Sequence, residues 1–393
     1  MDYKSRLFQE VDALSPQIIE AADDIFDRPE IGLQETYAAG RLTELFRSEG
    51  FQVETGTAGL PTAFKAVYDN GGNVSVGLLC EYDALEGIGH ACGHHMQGPS
   101  IFGAAAALKR VCGGLPFRLV VYGTPAEETV GGKITMKENG CFKDIDVALM
   151  MHPSPTTTTD VKCMALTTYE VAFRGVSAHA AINPEKGRSA LDAVMLMAHG
   201  IECLREHVLD DTRIHYTIMN GGGPSNVVPD YASAEICMRS YNTSYLYSVM
   251  ERVQKIIQGA AMMTETEAEI SEQPFFQAKI PVLSLNKILM DNAAVVDAPT
   301  IRPPREKTGS TDFGNVMYDV PGSCIRVAFV PEGTSSHSQQ YIDSGKSREA
   351  HECTLLAAKI LAASAFDLIS DPDKMEAVRS EFRANKAKME HNI

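Results

Sequence analysis

The apolar run Val74 to Leu79 ends in Cys80-Glu81-Tyr82-Asp83, and the chain then reaches Gly87-Ile88-Gly89-His90-Ala91-Cys92-Gly93-His94-His95. A short continuous apolar run of this kind reads as a buried strand. The loop after it holds three histidines and one cysteine within six residues. Soft and borderline ligands at the carboxyl end of a buried strand point to a transition-metal site. Cys92 and His94 are two apart, so in an extended loop their side chains face the same way, and the first glycines allow a tight turn. No CxxC pair exists, which excludes a zinc finger. Gly87-x-Gly89-x-x-Cys92 lacks the third glycine of a dinucleotide fingerprint.

The run is one of several. Residues 117–122, 147–151 and 324–330 also read as buried strands, with a helical pattern at 97–111 before the first of them and another at 346–368 after the last. Strands alternating with helices make an α/β layer, with ligands expected at the strands' carboxyl ends. From about 166 the order changes to strand, helix, strand, strand, helix, strand, the βαββαβ pattern of a small separate domain. Tyr169, Val171 and Phe173 alternate as in a sheet with one covered face. The expected fold class is therefore α/β: a catalytic α/β/α domain with a mixed, mainly parallel sheet (1–165 and 280–393) and an inserted ferredoxin-like domain (166–279). Within residues 3–26, Pro16 marks a helix break or second start, Asp69-Asn70-Gly71-Gly72 is a hairpin turn, and the charged tail 371–393 is a solvated helix.

Composition limits the function. The 393 residues are 44% hydrophobic and carry a net charge of −16, which argues against nucleic acid and anionic membranes as partners. A small anionic substrate remains compatible through a local cationic pocket. Nine cysteines, an odd number scattered singly, and a start at Met1-Asp2-Tyr3-Lys4 that reads as an acidic amphipathic helix suit a reducing, cytoplasmic setting without a secretion signal. No apolar run is read as reaching the length of a membrane span.

The other chemistry-bearing residues also stand at strand ends. Gly123-Thr124-Pro125-Ala126-Glu127-Glu128 comes directly after strand 117–122, His152 ends strand 147–151, and His337 sits in the loop after 324–330. Adjacent carboxylates beside a buried strand end are costly unless paired or metal-bound. Cys92, His94, Glu128, His152 and His337 together suffice for two divalent ions, which can activate a nucleophilic water. Glu127 would move the proton as general base.

Glu81-Tyr82-Asp83-Ala84-Leu85, Gly89-His90-Ala91-Cys92-Gly93-His94, Pro125-Ala126-Glu127-Glu128 and Val176-Ser177-Ala178-His179-Ala180 resemble the amidohydrolase branch of the aminoacylase and carboxypeptidase-G family of co-catalytic metallopeptidases, the branch that holds p-aminobenzoyl-glutamate hydrolase and related dipeptidases. The resemblance runs from about residue 5 to 370. It implies two divalent ions per subunit, Mn2+ or Zn2+, held by those five ligands, and an inserted lid through which the chain forms a homodimer. It implies Asp83 as orienter of the metal ligands, His179 as the lid histidine that stabilises the oxyanion in the neighbouring subunit's site, Asn226 as the lid asparagine, and Arg239 as the grip on the substrate carboxylate. Ser310-Thr311-Asp312-Phe313-Gly314 resembles the loop lining the substrate pocket. His95 departs from the family's usual Asp or Asn and could add a ligand or change selectivity, and Met96-Gln97-Gly98-Pro99 is also unlike the pattern. The expected activity is cleavage of an N-acyl amino acid or dipeptide-like amide. The alternatives are an N-deacetylase using the same site and a catalytically silent metal-binding subunit.

Overall fold

The computed structural model of the chain describes residues 2–391. Met1 and the last two residues of the tail, read as helical to 393, lie outside them. The chain divides into two compact units, one running to Cys163 and resuming over Lys279–Ala387, the other Met164–Ala278 together with the chain from Lys388. The return to the first unit therefore stops short of 393. Near the C-terminus Met389 packs on the second unit's core, and its carbonyl accepts from Asn242 Nδ2 at 3.2 Å.

In chain order the strands are β1 (Gln52–Thr55), β2 (Phe64–Asp69), β3 (Ser75–Cys80), β4 (Arg118–Gly123), β5 (Val147–Ser154) and β6 (Thr158–Thr159). After them come β7 (Ala165–Arg174), β8 (Arg213–Asn220), β9 (Tyr231–Ser240), β10 (Glu267–Glu272) and β11 (Gly322–Ala328). The first unit's sheet has the order β1-β2-β4-β3-β5-β11-β6. Its centre, β4, β3, β5 and β11, is parallel, and β1, β2 and β6 pair antiparallel to their neighbours. Asp69–Gly72 makes its turn, with Gly71 at φ 71°, but β2 and β3 do not form the expected hairpin. Strand β4 lies between them, and the turn is tied instead to the approach to β4 through Asn70 Nδ2, which donates to the carbonyls of Gly113 and Leu115.

Helices Tyr3–Phe26, Gln97–Cys112 and Arg348–Ser370 cover one face of the sheet. They approach closely because the residues between them are small: a Cβ on Gly103 would lie 2.6 Å from Ile18 Cδ1 and 3.2 Å from Ala358 Cβ. The other face is covered by Gly132–Glu138 and Phe313–Asp319, whose Met136, Phe313 and Met317 pack on Leu79, Val120 and Met150. Pro16 does not break the first helix, which is continuous over Tyr3–Phe26. The proline removes one backbone bond, a cost of about 3 kcal/mol in a helix interior. The buried stripe Leu7, Val11, Leu14, Ile18, Ala22 and Ile25 runs through it, and each such side chain returns roughly 1.5–3 kcal/mol for the larger residues. One helix, Arg348–Ser370, does reach span length, with a mean hydropathy of 1.6, contrary to the sequence reading. It is apolar because it is the central helix of this layer, with 67% of that stretch buried inside the fold.

The second unit is a four-stranded antiparallel sheet of order β10-β7-β9-β8. Helices Ala190–Arg205 and Thr243–Thr264 cover one face, burying Tyr169, Val171, Phe173, Met197, Ile236 and Val253. This is the βαββαβ arrangement that the element order after about 166 predicts, with the one covered face that the alternation in β7 predicts. Strand β8 ends the sheet, with Ile218 and Met219 exposed on it.

Candidate active site

After β3 the chain turns through Gly87 and Gly89 into the cluster loop, which ends in a single turn, His94–Met96. Gly93 is required there twice over: its φ is +86°, and a Cβ would sit 2.7 Å from Pro153 Cγ. This turn buries His94 completely. Its Nδ1 lies 3.1 Å from both the backbone carbonyl and Oδ1 of Asp83, so the Nδ1–H donates there and Nε2 carries the lone pair. That Nε2 has no hydrogen-bond partner and faces Glu81 Oε2 at 3.3 Å and Glu128 Oε1 at 4.0 Å. The second oxygen of Asp83 accepts from the Glu128 backbone N at 2.9 Å, so one carboxylate positions both residues.

His152 comes from the end of β5. Its Nδ1 donates to the Pro153 carbonyl at 2.8 Å, leaving Nε2 3.5 Å from Cys92 Sγ. Burial, and then the positive charge of Arg326, push its imidazole down to about 3, which keeps it neutral. Burial pushes the Cys92 thiol up to about 12, so a thiolate here requires a cation beside it. His337, with φ +58°, reaches in from the loop after β11. Its backbone N donates to the Ala91 carbonyl at 3.0 Å, and its Nε2 lies 3.3 Å from Glu128 Oε1.

The first unit thus brings the five expected ligands together. Cys92, His94 and His152 form one group whose ligand atoms lie within 4.8 Å of one another, and Cys92, Glu128 and His337 form another. An unpartnered buried imidazole nitrogen, a buried thiol and a carboxylate on two histidines form a donor set suited to divalent metal. Glu127 joins His94 and Glu128 in a third such group. Burial, and then the charges of Glu81 and Asp312, hold its carboxyl well above the ordinary value. Asp312 comes from the loop whose members the sequence left without roles.

Behind the ligands lies a network that sequence reasoning missed. Lys133 Nζ, fully buried, donates to Glu81 Oε1 at 2.6 Å and to Asp312 Oδ1 at 2.7 Å. Burial works against its charge, and Asp312 and Glu81 more than offset that, keeping it an ammonium. Gln97, in the run that departs from the family pattern, donates to Glu81 Oε2 at 2.7 Å. Glu35 holds the strained turn before Glu127, accepting from the Ala126 N at 2.8 Å where φ is +61°. His95 does not join the ligands. It donates from Nε2 to the Gly345 carbonyl at 2.8 Å and packs edge-on to Phe26, and no group of ligating atoms among the described residues includes it.

A cavity of about 450 Å³ opens onto Cys92, Glu127, Glu128, His152 and His337. The remaining sequence-derived residues belong to the second unit. His179 is exposed there and adjoins Asn226, whose carbonyl accepts from Ala180 N at 3.0 Å. Arg239 stands near the far end of β9, opposite Leu166 and Arg213.

Residues 165–262 match the peptidase dimerisation domain of the M20 family. The chain is 32% identical to the Xaa-Arg dipeptidase of Mus musculus, over 97% of this chain and 92% of that protein. It is 31% identical to one of the p-aminobenzoyl-glutamate hydrolase subunits of Escherichia coli K12, over 94% of this chain and 93% of that one. Among solved structures, an aminobenzoyl-glutamate utilization protein from Klebsiella pneumoniae superposes with a TM-score of 0.72 at 21% identity, covering 92% of this chain and 98% of that one. A dinuclear metal binding peptidase of the M20 family from Bacillus subtilis gives 0.71 at 19% identity, covering 91% and 99%; at these identities the likeness is one of fold. Sequence identity over nearly the whole chain, with its fold, means that the chain belongs to the M20 family of metal-dependent peptidases and amidohydrolases.

Proposed function

We propose that this chain is a binuclear-metal amidohydrolase that cleaves the amide bond of an N-acyl amino acid or a dipeptide-like substrate. The observation that carries this reading is the convergence of Cys92, His94, Glu128, His152 and His337, with the half-buried Glu127 among them, all but His94 lining one cavity. Those five side chains would hold two divalent ions, manganese or zinc, which supply polarisation of the scissile carbonyl and a more acidic water. Asp83 fixes the His94 tautomer and the Glu128 backbone, so the ligands are set before substrate arrives. Glu127 accepts a proton from the attacking water on a carboxylate oxygen and returns it to the leaving nitrogen. Its raised proton affinity suits both halves of that transfer.

The dimer belongs to the same reading. His179 and Asn226 lie by the Tyr231 end of β9, and Arg239 lies by its other end. Eight residues of strand separate Tyr231 from Arg239, roughly 26 Å at about 3.3 Å per residue. One copy of this unit is poorly shaped to present both ends to one substrate, whereas two copies can, with Arg239 from one subunit and His179 from its partner. The exposed edge of β8 supplies the surface. Purified protein loaded with manganese or zinc and offered N-acyl amino acids and dipeptides should release free amino acid, reversibly blocked by a chelator. Metal-loaded protein that releases none across the panel would instead be the silent binding subunit.

A further inference from the structure

The cavity continues past the ligands to a second charged group. Asp160, just after β6, accepts the Nε–H of Arg305 on Oδ1 at 2.6 Å and that of Arg326 on Oδ2 at 3.0 Å. All three residues line the cavity that Cys92, His152 and His337 also line. Arg326 is the register partner of His152 in the parallel pair β11–β5, so about one strand spacing, roughly 5 Å, separates their backbones. Asp160 is itself fixed: its carbonyl accepts from Lys279 Nζ at 2.9 Å and Asn286 Nδ2 at 3.0 Å. Burial opposes its charge, but Arg326 and Arg305 outweigh that and hold the carboxyl at about 2.

A guanidinium offers five N–H donors and stays charged at any working pH. Asp160 takes the Nε–H of each arginine. Among the described residues no hydrogen bond engages their terminal nitrogens, and none of those atoms is buried without a partner. These donors are therefore open to the cavity. Two permanent cations against one carboxylate leave excess positive charge on this wall, in a geometry that suits a bidentate carboxylate.

We propose that Arg305 and Arg326 form a subsite for a second carboxylate on the substrate, beyond the α-carboxylate. The enzyme would accordingly favour N-acyl amino acids bearing that extra charge on either the amino-acid or the acyl side. This inference rests on the amidohydrolase reading and specifies its substrate class. Asp160 holds both guanidiniums at the cavity wall, so the site is organised before binding.

The test compares metal-loaded wild type with Arg305→Gln, a partly exposed position, and with Arg326→Lys, on N-benzoylglycine, N-benzoylglutamate and N-glutarylglycine. Wild type should prefer at least one doubly charged substrate by kcat/KM, and which one it prefers assigns the subsite to the leaving or the acyl side. Arg305→Gln should reduce kcat/KM for that substrate at least roughly tenfold more than for N-benzoylglycine. Equal losses on singly and doubly charged substrates, or no wild-type preference, overturn the subsite. Calorimetric titration with glutarate separates this from failure of the activity reading. Binding that Arg305→Gln weakens roughly tenfold, without hydrolysis of any substrate, keeps the subsite and removes the hydrolase. Binding unchanged in both variants removes the subsite. Thermal unfolding of each variant shows that it is folded before it is scored.

Discussion

The half-buried Glu127 and the buried Lys133 are charged-type residues near one centre, but their surroundings give them opposite tasks. Desolvation, and then the neighbouring carboxylates Glu81 and Asp312, raise the proton affinity of Glu127, which suits a group that must take up and release a proton. Replacing it with Ala should lower kcat by about 10²–10⁴ while metal content, read by atomic absorption, stays at the wild-type value; full activity would remove it from the reaction. Lys133 sits between Glu81 and Asp312 and never needs to release its proton. Lys133→Met leaves two carboxylates buried without their cation, which typically costs about 3–5 kcal/mol. Urea unfolding should show that loss, and a change below about 1 kcal/mol would mean that the network is not structural. The sequence made the first residue legible and hid the second. Cys92, His94, Glu127, Glu128, His152 and His337 each come after a recognisable strand. Lys133 lies on a seven-residue helix, too short for a periodic signal, and its partners are 52 and 179 positions away.

At the scale of the element, strand existence and order along the chain were readable, and strand adjacency was not. The Asp69–Gly72 turn is real, yet β4 arrives later in the chain and takes the place between β2 and β3. Local turn chemistry fixes a reversal but leaves open which strand pairs across it. Asp144 shows what holds that arrangement. It pairs with Lys65 on β2 at 2.8 Å and with Arg118 on β4 at 2.8 Å, and accepts from Tyr122 Oη at 2.5 Å. Burial would raise its pKa, but the bonds from Lys65, Tyr122 and Arg118 prevail and hold it at about 2, against an ordinary 3.8. A folded value below the unfolded one gives stabilisation that is complete above pH 3.8 and is lost as pH falls through about 2. Asp144→Asn should therefore destabilise at pH 7 by on the order of 1 kcal/mol after solvent screening. Melts of the two proteins should converge as the pH drops from about 4 toward 2, and a gap that stays constant over that range would contradict the assignment. Gly93 makes a sharper local prediction. Gly93→Ala must adopt φ +86° against Pro153, costing roughly 1–3 kcal/mol, and should weaken metal retention in dialysis before it unfolds the chain.

For the whole molecule, the family and the α/β fold with its βαββαβ insertion are as the motifs and the change of pattern near 166 implied. The proposed dimer would have a property that no single chain has. If His179 serves the partner's site, Glu127→Ala and His179→Ala subunits should each be inactive alone. Mixed and allowed to re-associate, they should recover about a quarter of wild-type activity, because half of the dimers are mixed and one of their two sites is intact. No recovery on subunit exchange, verified by mass spectrometry, would place His179 in its own subunit's site, and activity of His179→Ala alone would place it outside the reaction.

Strand β11 pairs with β5 on one side and β6 on the other, although β5 and β6 are neighbours in the chain. On a ribosome those two strands emerge with a one-strand gap between them, and its occupant is made only after the entire insertion. The nascent N-terminal segment must wait with an open sheet edge, exposed to wrong partners. The loop that carries His337 comes after that strand, so metal capture becomes possible only when synthesis is nearly over, and the insertion can fold first as an independent body during the delay.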